Sequence, residues 1–246
     1  MKNSTAAELA ELLKKAKLAI ALTGAGISVE SGIPSFRGPN GLWTRFDPVE
    51  YAHIQTFVKN PAKSWELLRL LDDTIAAASP NPAHRALAAL EKMGRLKAVI
   101  TQNVDNLHQE AGSENVIEFH GNARHYSCLS CNKAFDPKAL DFSQVPLYCA
   151  CGGLIKPDIV FFGEAIPPTA STIAFALAEA CDLMLVVGTS AAVMPASYLP
   201  FAAKDHGALI VEINPETTQL THHLTDYYCG GSASRVLSEA VKLLEN

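Results

Sequence analysis

No stretch of this 246-residue chain reads as a span across a bilayer. Its most apolar region, residues 173–196, is broken by Glu179, Asp182 and Gly188, so it divides into helix, turn and buried strand. A basic segment leading into an apolar one is also missing at the start. Instead, Met1 to Thr5 runs into Leu9, Leu12, Leu13 and Ala16, the spacing of an amphipathic helix, and the expectation is a cytoplasmic protein that is not exported. Lysine-rich runs are lacking, and a net charge of -5 leaves little to neutralise phosphates, which disfavours direct nucleic-acid binding. There is no internal repeat or low-complexity linker. What is present, with 48% hydrophobic residues, suffices for one sizeable domain or one large plus one small.

Short apolar runs recur at 18–22, 96–100, 116–119, 159–162, 183–187 and 209–213, and read as strands. Helical patterns lie between most of them, at 82–93, 168–180 and 196–205, and residues 233–244 form a closing amphipathic helix. Alternating strands and helices imply an α/β fold with a Rossmann-like, doubly wound parallel sheet. Two stretches break the alternation: 32–84, helical and without a convincing strand, and 121–154, rich in cysteine and turns. The expected division is a Rossmann-like domain from residues 1–31, 85–120 and 155–246, with the helical module 32–84 and the cysteine module 121–154 forming a smaller lobe.

A glycine loop follows the first of these strands, in the run 23–43. Gly24 and Gly26 let the backbone turn tightly and approach a pyrophosphate, whose charge free N–H groups at a helix start would meet. The alternative is a strand-to-helix turn without a ligand. The ordinary dinucleotide fingerprint needs a third glycine where this chain has Val29, and an acidic residue after a second strand that does not arrive on schedule. A hydride-transferring dehydrogenase is therefore a poor fit. The loop instead carries Ser28, Glu30, Ser31, Phe36 and Arg37, as if folding over a ligand; Arg37 would neutralise phosphate and Phe36 would cover a reacting face.

Gln102, Asn103, Val104 and Asp105 follow directly on the run ending at Ile100 and Thr101, at the carboxyl end of a strand, where open α/β sheets bind ligands. Amides there match nicotinamide and ribose hydroxyls, while Asn103 or Asp105 equally suits a helix cap. His120 ends a strand just before the cysteine insertion, and an imidazole with an ordinary pKa of about 6.5 can take a proton from a sugar hydroxyl at neutral pH. His53, His84, His108, His206, His222 and His223 read as structural, and His125 is superfluous beside four cysteines. Those four, Cys128, Cys131, Cys149 and Cys151, have the spacing of one tetrahedral Zn²⁺ site with no position left for water, so the ion would be structural. Two disulfides are the alternative. Cys181 and Cys229 sit in apolar contexts and read as buried thiols.

Taken together, the segments 24–28, 32–38, 102–105, 120–121, the cysteine quartet, 161–164 and 188–190 resemble, in order and over nearly the whole chain, the sirtuins, the NAD-dependent protein deacylases. The resemblance implies that NAD is a co-substrate and that an acyl-lysine protein or peptide enters between the two lobes. It places Gly24, Ala25, Gly26, Ser28, Glu30, Pro34, Phe36, Arg37 and Trp43, with Gln102, Asn103, Val104 and Asp105, on the NAD site, and Gly188, Thr189, Ser190, Asn214 and Ala233 on its adenosine half. By the same likeness Asn103 and Asp105 hold the nicotinamide end while the acyl oxygen attacks the ribose. Phe36 screens that centre from water, and His120 is the general base that delivers a ribose hydroxyl to the alkylimidate. Val160, Phe161, Phe162, Gly163, Glu164 and Val193 match the substrate channel, where peptide backbone adds as a strand.

Ser35 stands where many members have Asp or Thr, which alters little because Pro34, Phe36 and Arg37 remain. The branch that removes succinyl and malonyl groups carries a Tyr and, three residues on, an Arg; here those positions fall on Leu68 and Leu71. The resemblance thus implies removal of acetyl and other uncharged acyl groups by a protein expected to be monomeric. Competing expectations are desuccinylation or demalonylation, ADP-ribosyl transfer to protein, and a zinc-ribbon binding module whose NAD pocket only senses.

Overall fold

The computed structural model describes residues 1–38 and 41–245; Pro39 and Asn40, within the glycine-bearing run 23–43, lie outside it. Strands are β1 (Lys2–Asn3), β2 (Ala19–Thr23), β3 (Ala98–Thr101), β4 (Val116–Glu118), β5 (Gly121–Cys128), β6 (Ala134–Phe135), β7 (Ile155–Ile159), β8 (Leu183–Val187), β9 (Leu209–Asn214) and β10 (Tyr227–Gly230). Helices are α1 (Ala6–Lys15), α2 (Pro48–Tyr51), α3 (Ile54–Lys59), α4 (Pro61–Ala77), α5 (Pro82–Lys92), α6 (Leu107–Glu110), α7 (Pro168–Ala180), α8 (Tyr198–Asp205), α9 (Gln219–His223) and α10 (Ala233–Glu245).

Seven strands form one parallel sheet in the order β1-β10-β9-β8-β2-β3-β4. Its central strands are buried almost throughout and mostly apolar because both faces are covered, with Thr23, Thr101 and Glu212 among the buried polar exceptions. Ala19 and Ala21 of β2, with Leu183, Leu185 and Val187 of β8, turn to the layer of α1, α5 and α10, while Ile20, Leu22, Met184 and Val186 turn to α7 and α8. The chain leaves β2 toward β3 and β4 on one side and later builds β8, β9 and β10 on the other. The order therefore reverses at β2, which opens a crevice beyond the carboxyl ends of β2, β3 and β8.

A second sheet, β6-β5-β7, is antiparallel. Its inner face shares one core with the helical insertion: Phe57 of α3 and Trp65 and Leu68 of α4 pack with Tyr126, Leu147, Ile155 and Phe161. Two insertions far apart in sequence thus stabilise one another as the smaller lobe.

The sequence expectations need correction at four places. The run 159–162 is not a strand of the parallel sheet; β7 ends at Ile159, and the apolar residues beyond it face the space between the lobes and the Phe57 core. An apolar run can mark a cleft wall as well as a core: here Phe161 is buried in the small-lobe core while Phe162 stays exposed on the cleft. The strands β1 and β10 were not expected because Lys2–Asn3 has two residues and Tyr227–Gly230 is only partly buried near the sheet edge. The glycine loop enters a 3₁₀ helix, Ala25–Ser31, rather than an α-helix. The helix expected from residue 196 starts at Tyr198.

Beneath the glycine loop, α5 and α6 bring two fully buried histidines together, with ring centroids 4.9 Å apart. Nε2 of His108 lies 2.9 Å from Thr23 Oγ1, and Nε2 of His84 lies 3.4 Å from Ser28 Oγ. Asn81 caps α5 and donates its amide to Ile27 O, so the same corner braces the loop. Burial, seconded by the Arg85 charge, lowers His84 to about 4, and burial, seconded by His84, lowers His108 to about 3. An unfolded histidine has a pKa of about 6.5, so between there and about pH 4 the unfolded chain binds more protons and stability rises with pH. The histidine contribution is complete above about pH 6.5 and is lost as the pH falls toward 4. Urea unfolding at pH 7 and pH 5 should show a loss on the order of 2 kcal/mol per histidine, and His108→Gln should remove its share of that slope; an identical slope in the variant would show that His108 is not buried neutral.

Candidate active site

The crevice at the strand-order reversal continues between the lobes as one cleft of about 780 Å³. Its floor is the glycine loop. Gly24 N–H donates to Val187 O at 3.2 Å and Gly26 N–H to Gly188 O at 2.8 Å, so the turns after β2 and β8 lie in direct contact. A Cβ on Gly26 would fall 2.7 Å from the Gly188 carbonyl oxygen, and Gly188 itself has φ +60 with space for no side chain against Ile27 N. Glycine is required here by the meeting of two loops as well as by any ligand.

Beyond β3, Gln102 donates its amide to Thr23 O at 3.2 Å and to Thr189 Oγ1 at 3.0 Å. Asn103 lines the cleft, and its amide donates to Gly24 O at 3.2 Å and Ser28 Oγ at 3.1 Å. Asp105 is buried and does not reach the cleft wall; it accepts from Ser28 Oγ at 2.7 Å and from Leu107 N–H at 3.0 Å, the geometry of a residue that starts α6. Burial pushes its carboxyl upward, against those two hydrogen bonds. Capping and loop bracing therefore meet in one side chain.

His120 follows β4 at the hinge between the sheets, with its carbonyl fixed by Val160 N–H at 2.9 Å. Nδ1 lies 3.1 Å from Gln102 O. A carbonyl only accepts, so Nδ1 carries the proton and Nε2 of the neutral ring keeps a lone pair. Burial lowers its pKa below the ordinary imidazole value, with the Gln102 carbonyl opposing the shift. The ring lines the cleft as a free base at neutral pH.

Aromatic rings close the cleft on the small-lobe side. Phe36 and Trp43 have centroids 5.0 Å apart, and Trp43 lies 6.1 Å from Phe162. Arg37 is the only Lys or Arg among the described lining residues. The apolar wall includes Leu68 and Leu71. Arg69 points elsewhere: its Nη2 donates to Phe142 O at 2.8 Å. Val160, Phe161, Phe162, Gly163 and Glu164 also line the cleft. Glu164 also works within its own segment, accepting from Phe161 N–H at 2.8 Å and pairing at 3.2 Å with the buried Lys156, whose Nζ donates to Ile159 O at 2.7 Å.

Of the residues singled out in the sequence, Ala25, Val104, Thr189, Ser190, Val193 and Asn214 also line the cleft, whereas Ser28, Glu30, Pro34 and Ala233 do not. Ser28 sits one layer behind Asn103, Glu30 is exposed, and Ala233 is buried at the start of α10. Sequence reasoning missed Tyr51, Leu67 and the rim 215–219. Tyr51 ends a four-residue helix, Leu67 lies among the buried apolar positions of α4, and the rim has no motif of its own.

The four cysteine Sγ atoms lie within 4.8 Å of one another and form no disulfide. Cys128 and Cys151 are 3.5 Å apart and Cys131 and Cys149 are 3.8 Å apart. Four sulfurs at 2.3 Å from a tetrahedral Zn²⁺ would be about 3.8 Å apart. Ser130 N–H points at Cys128 Sγ at 3.4 Å, a donor that favours thiolate. The donor set fits a closed zinc site.

Among the described residues no helix is long and apolar enough to cross a membrane. A profile of the Sir2 family matches residues 24–195. An NAD-dependent protein deacylase of Pyrococcus furiosus is 47% identical over 241 residues, covering 96% of each chain, and NAD-dependent protein deacylase 1 of Archaeoglobus fulgidus is 45% identical over 236 residues with the same coverage. Among solved structures, a Sir2 homologue in complex with NAD superposes with a TM-score of 0.92 at 43% identity, covering 99% of this chain and 95% of the other. A Sir2 mutant with a deacetylated p53 peptide and 3'-O-acetyl ADP-ribose gives 0.89 at 37%, covering 97% and 98%. With this sheet order, this glycine loop and identity near one half along almost its full length, the chain belongs to the Sir2 family.

Proposed function

We propose that this protein is an NAD-dependent protein lysine deacylase that moves an acyl group from lysine to ADP-ribose and releases nicotinamide. The observation that carries the reading is the His120 ring, tethered through Nδ1 to Gln102 O with Nε2 left to the cleft that also holds the glycine loop and the Phe36–Trp43–Phe162 aromatic face. NAD supplies the ribose carbon to which the acyl oxygen bonds as the nicotinamide bond breaks. Asn103, whose Nδ2 is held by Gly24 O and Ser28 Oγ, offers its amide oxygen to the nicotinamide end, and Asp105 acts from behind it through Ser28, which both side chains touch. Phe36 excludes water from the ribose, Arg37 faces the pyrophosphate, and Gly188, Thr189, Ser190 and Asn214 take the adenosine half. His120 Nε2 accepts the ribose hydroxyl proton, and that hydroxyl oxygen attacks the acyl carbon. The lysine amine leaves as its C–N bond breaks, and a water adds to the same carbon, so that the acyl group ends as an ester of ADP-ribose. Glu30, Pro34 and Ala233 support this site from outside the cleft wall.

The acylated segment of a protein or peptide lies between residues 160–164 and Val193, with its acyl chain toward Leu68 and Leu71. No cation meets a carboxylate there, which supports uncharged acyl groups. In this reading residues 1–31, 85–120 and 155–246 bind NAD, apart from β7, which pairs with β5 in the substrate-side lobe that 32–84 and 121–154 form. Cys128, Cys131, Cys149 and Cys151 hold one structural Zn²⁺ that fixes β5 to the loops around it. Unpaired thiols suit a reducing compartment, and we place the protein in the cytoplasm as a monomer that binds no nucleic acid directly.

His120→Ala should cut deacylation by about 10²-fold or more without altering the circular dichroism; retained turnover would remove His120 as the base. Against a peptide panel with NAD, acetyl-lysine should be strongly preferred to succinyl-lysine, and Leu71→Arg should narrow that preference. A wild-type preference for succinyl would overturn the substrate assignment. Elemental analysis should find one zinc per chain, lost in Cys149→Ser together with a lowered melting temperature; a metal-free protein of unchanged stability and activity would rule the ion out.

A further inference from the structure

Glu212 lies on β9 between β8 and β10, with no exposed surface. A carboxylate in a sheet interior is costly unless its lone pairs are met. Here all four hydrogen bonds come from neutral donors. Oε1 accepts from Asn214 Nδ2 at 3.0 Å and Thr218 Oγ1 at 2.7 Å, and Oε2 accepts from Thr221 Oγ1 at 2.6 Å and Thr225 Oγ1 at 2.9 Å. The three threonines come from the cap, body and exit of α9, a helix of five residues that is too short to hold itself. The segment so anchored begins at Asn214 and supplies the cleft rim 215–219.

The anchor also continues toward the centre of the site. The Asn214 amide that meets Glu212 donates as well to Thr189 O at 3.1 Å, and Thr189 Oγ1 accepts from Gln102 at 3.0 Å. Glu212 thus sets the position of Asn214 and of the rim relative to the turn after β8, without itself reaching the cleft.

We propose that Glu212 is a positioning residue for the nucleotide, acting through Asn214 and the threonine-bound rim on the adenosine half. The inference rests on the NAD reading of the cleft and adds to it a residue outside the wall. A neutral amide at this position can no longer accept all four donors. Glu212→Gln should raise the KM for NAD about tenfold, the size expected for losing a hydrogen bond to a charged group, while kcat at saturating NAD and the KM for acyl-lysine peptide stay unchanged. If that variant does not fold, Thr221→Val and Thr221→Ser decide. Thr221 is buried away from the cleft, so removing its hydroxyl should raise the NAD KM and keeping it should not.

Calorimetry with ADP-ribose provides a readout independent of catalysis. Weaker ADP-ribose binding by Glu212→Gln and Thr221→Val, with wild-type affinity in Thr221→Ser, supports the proposal. Equal affinity in all variants overturns it, as does a joint change of both KM values and kcat, which would mark a general structural role. A wild-type protein that binds no ADP-ribose would instead refute the nucleotide reading itself.

Discussion

The turns after β2 and β8 touch through bare backbone, and the geometry of the cleft follows from that contact. Gly24 and Gly26 donate to the carbonyls of Val187 and Gly188, and a single methyl group at either Gly26 or Gly188 would collide with the opposite chain. The contact lies where the strand order reverses, so it seals the bottom of a crevice that the topology alone would leave open. Gln102, Asn103 and Thr189 are then hung from the same two turns by hydrogen bonds to Thr23, Gly24 and one another.

Two layers of buried polar groups support this floor from opposite sides. On one side, Ser28 joins Asn103, Asp105 and His84, while His108 meets Thr23. On the other, Glu212 gathers Asn214 and three threonines. Neither set is exposed, and each takes a desolvation cost that apolar residues would avoid. Hydrogen-bonded polar networks specify one arrangement where apolar packing tolerates several, and the Glu212 set meets both carboxylate oxygens.

The small lobe adds what the sheet cannot. Its core is shared by α3, α4 and the cysteine-bearing sheet, so the cysteine cluster and the apolar wall at Leu68 belong to one packed unit. The Lys156–Glu164 pair stiffens the segment that crosses back to the large lobe. One side of the cleft is therefore polar and fixed by the parallel sheet, and the other is aromatic and aliphatic.

Much of this was legible in the residues by themselves. Largely apolar runs of five residues located β2, β3, β8 and β9, because a strand covered on both faces has few polar positions to break the run. The glycine pairs, the Gln102–Asp105 segment, His120 and the cysteine spacing announced their chemistry locally, since each needs particular residue types within a few positions. Tertiary structure alone decided the rest. It turned the run 159–162 from an expected strand into a cleft wall, because an apolar cleft lining leaves the same trace in the sequence as burial in a sheet. It moved Asp105 behind the wall and gave Glu164 a second partner in Lys156. It also gathered His84, His108, Glu212 and the rim 215–219 around the site. Their contacts join residues distant along the chain or lie in segments without periodicity, and long-range proximity leaves no mark in a single sequence.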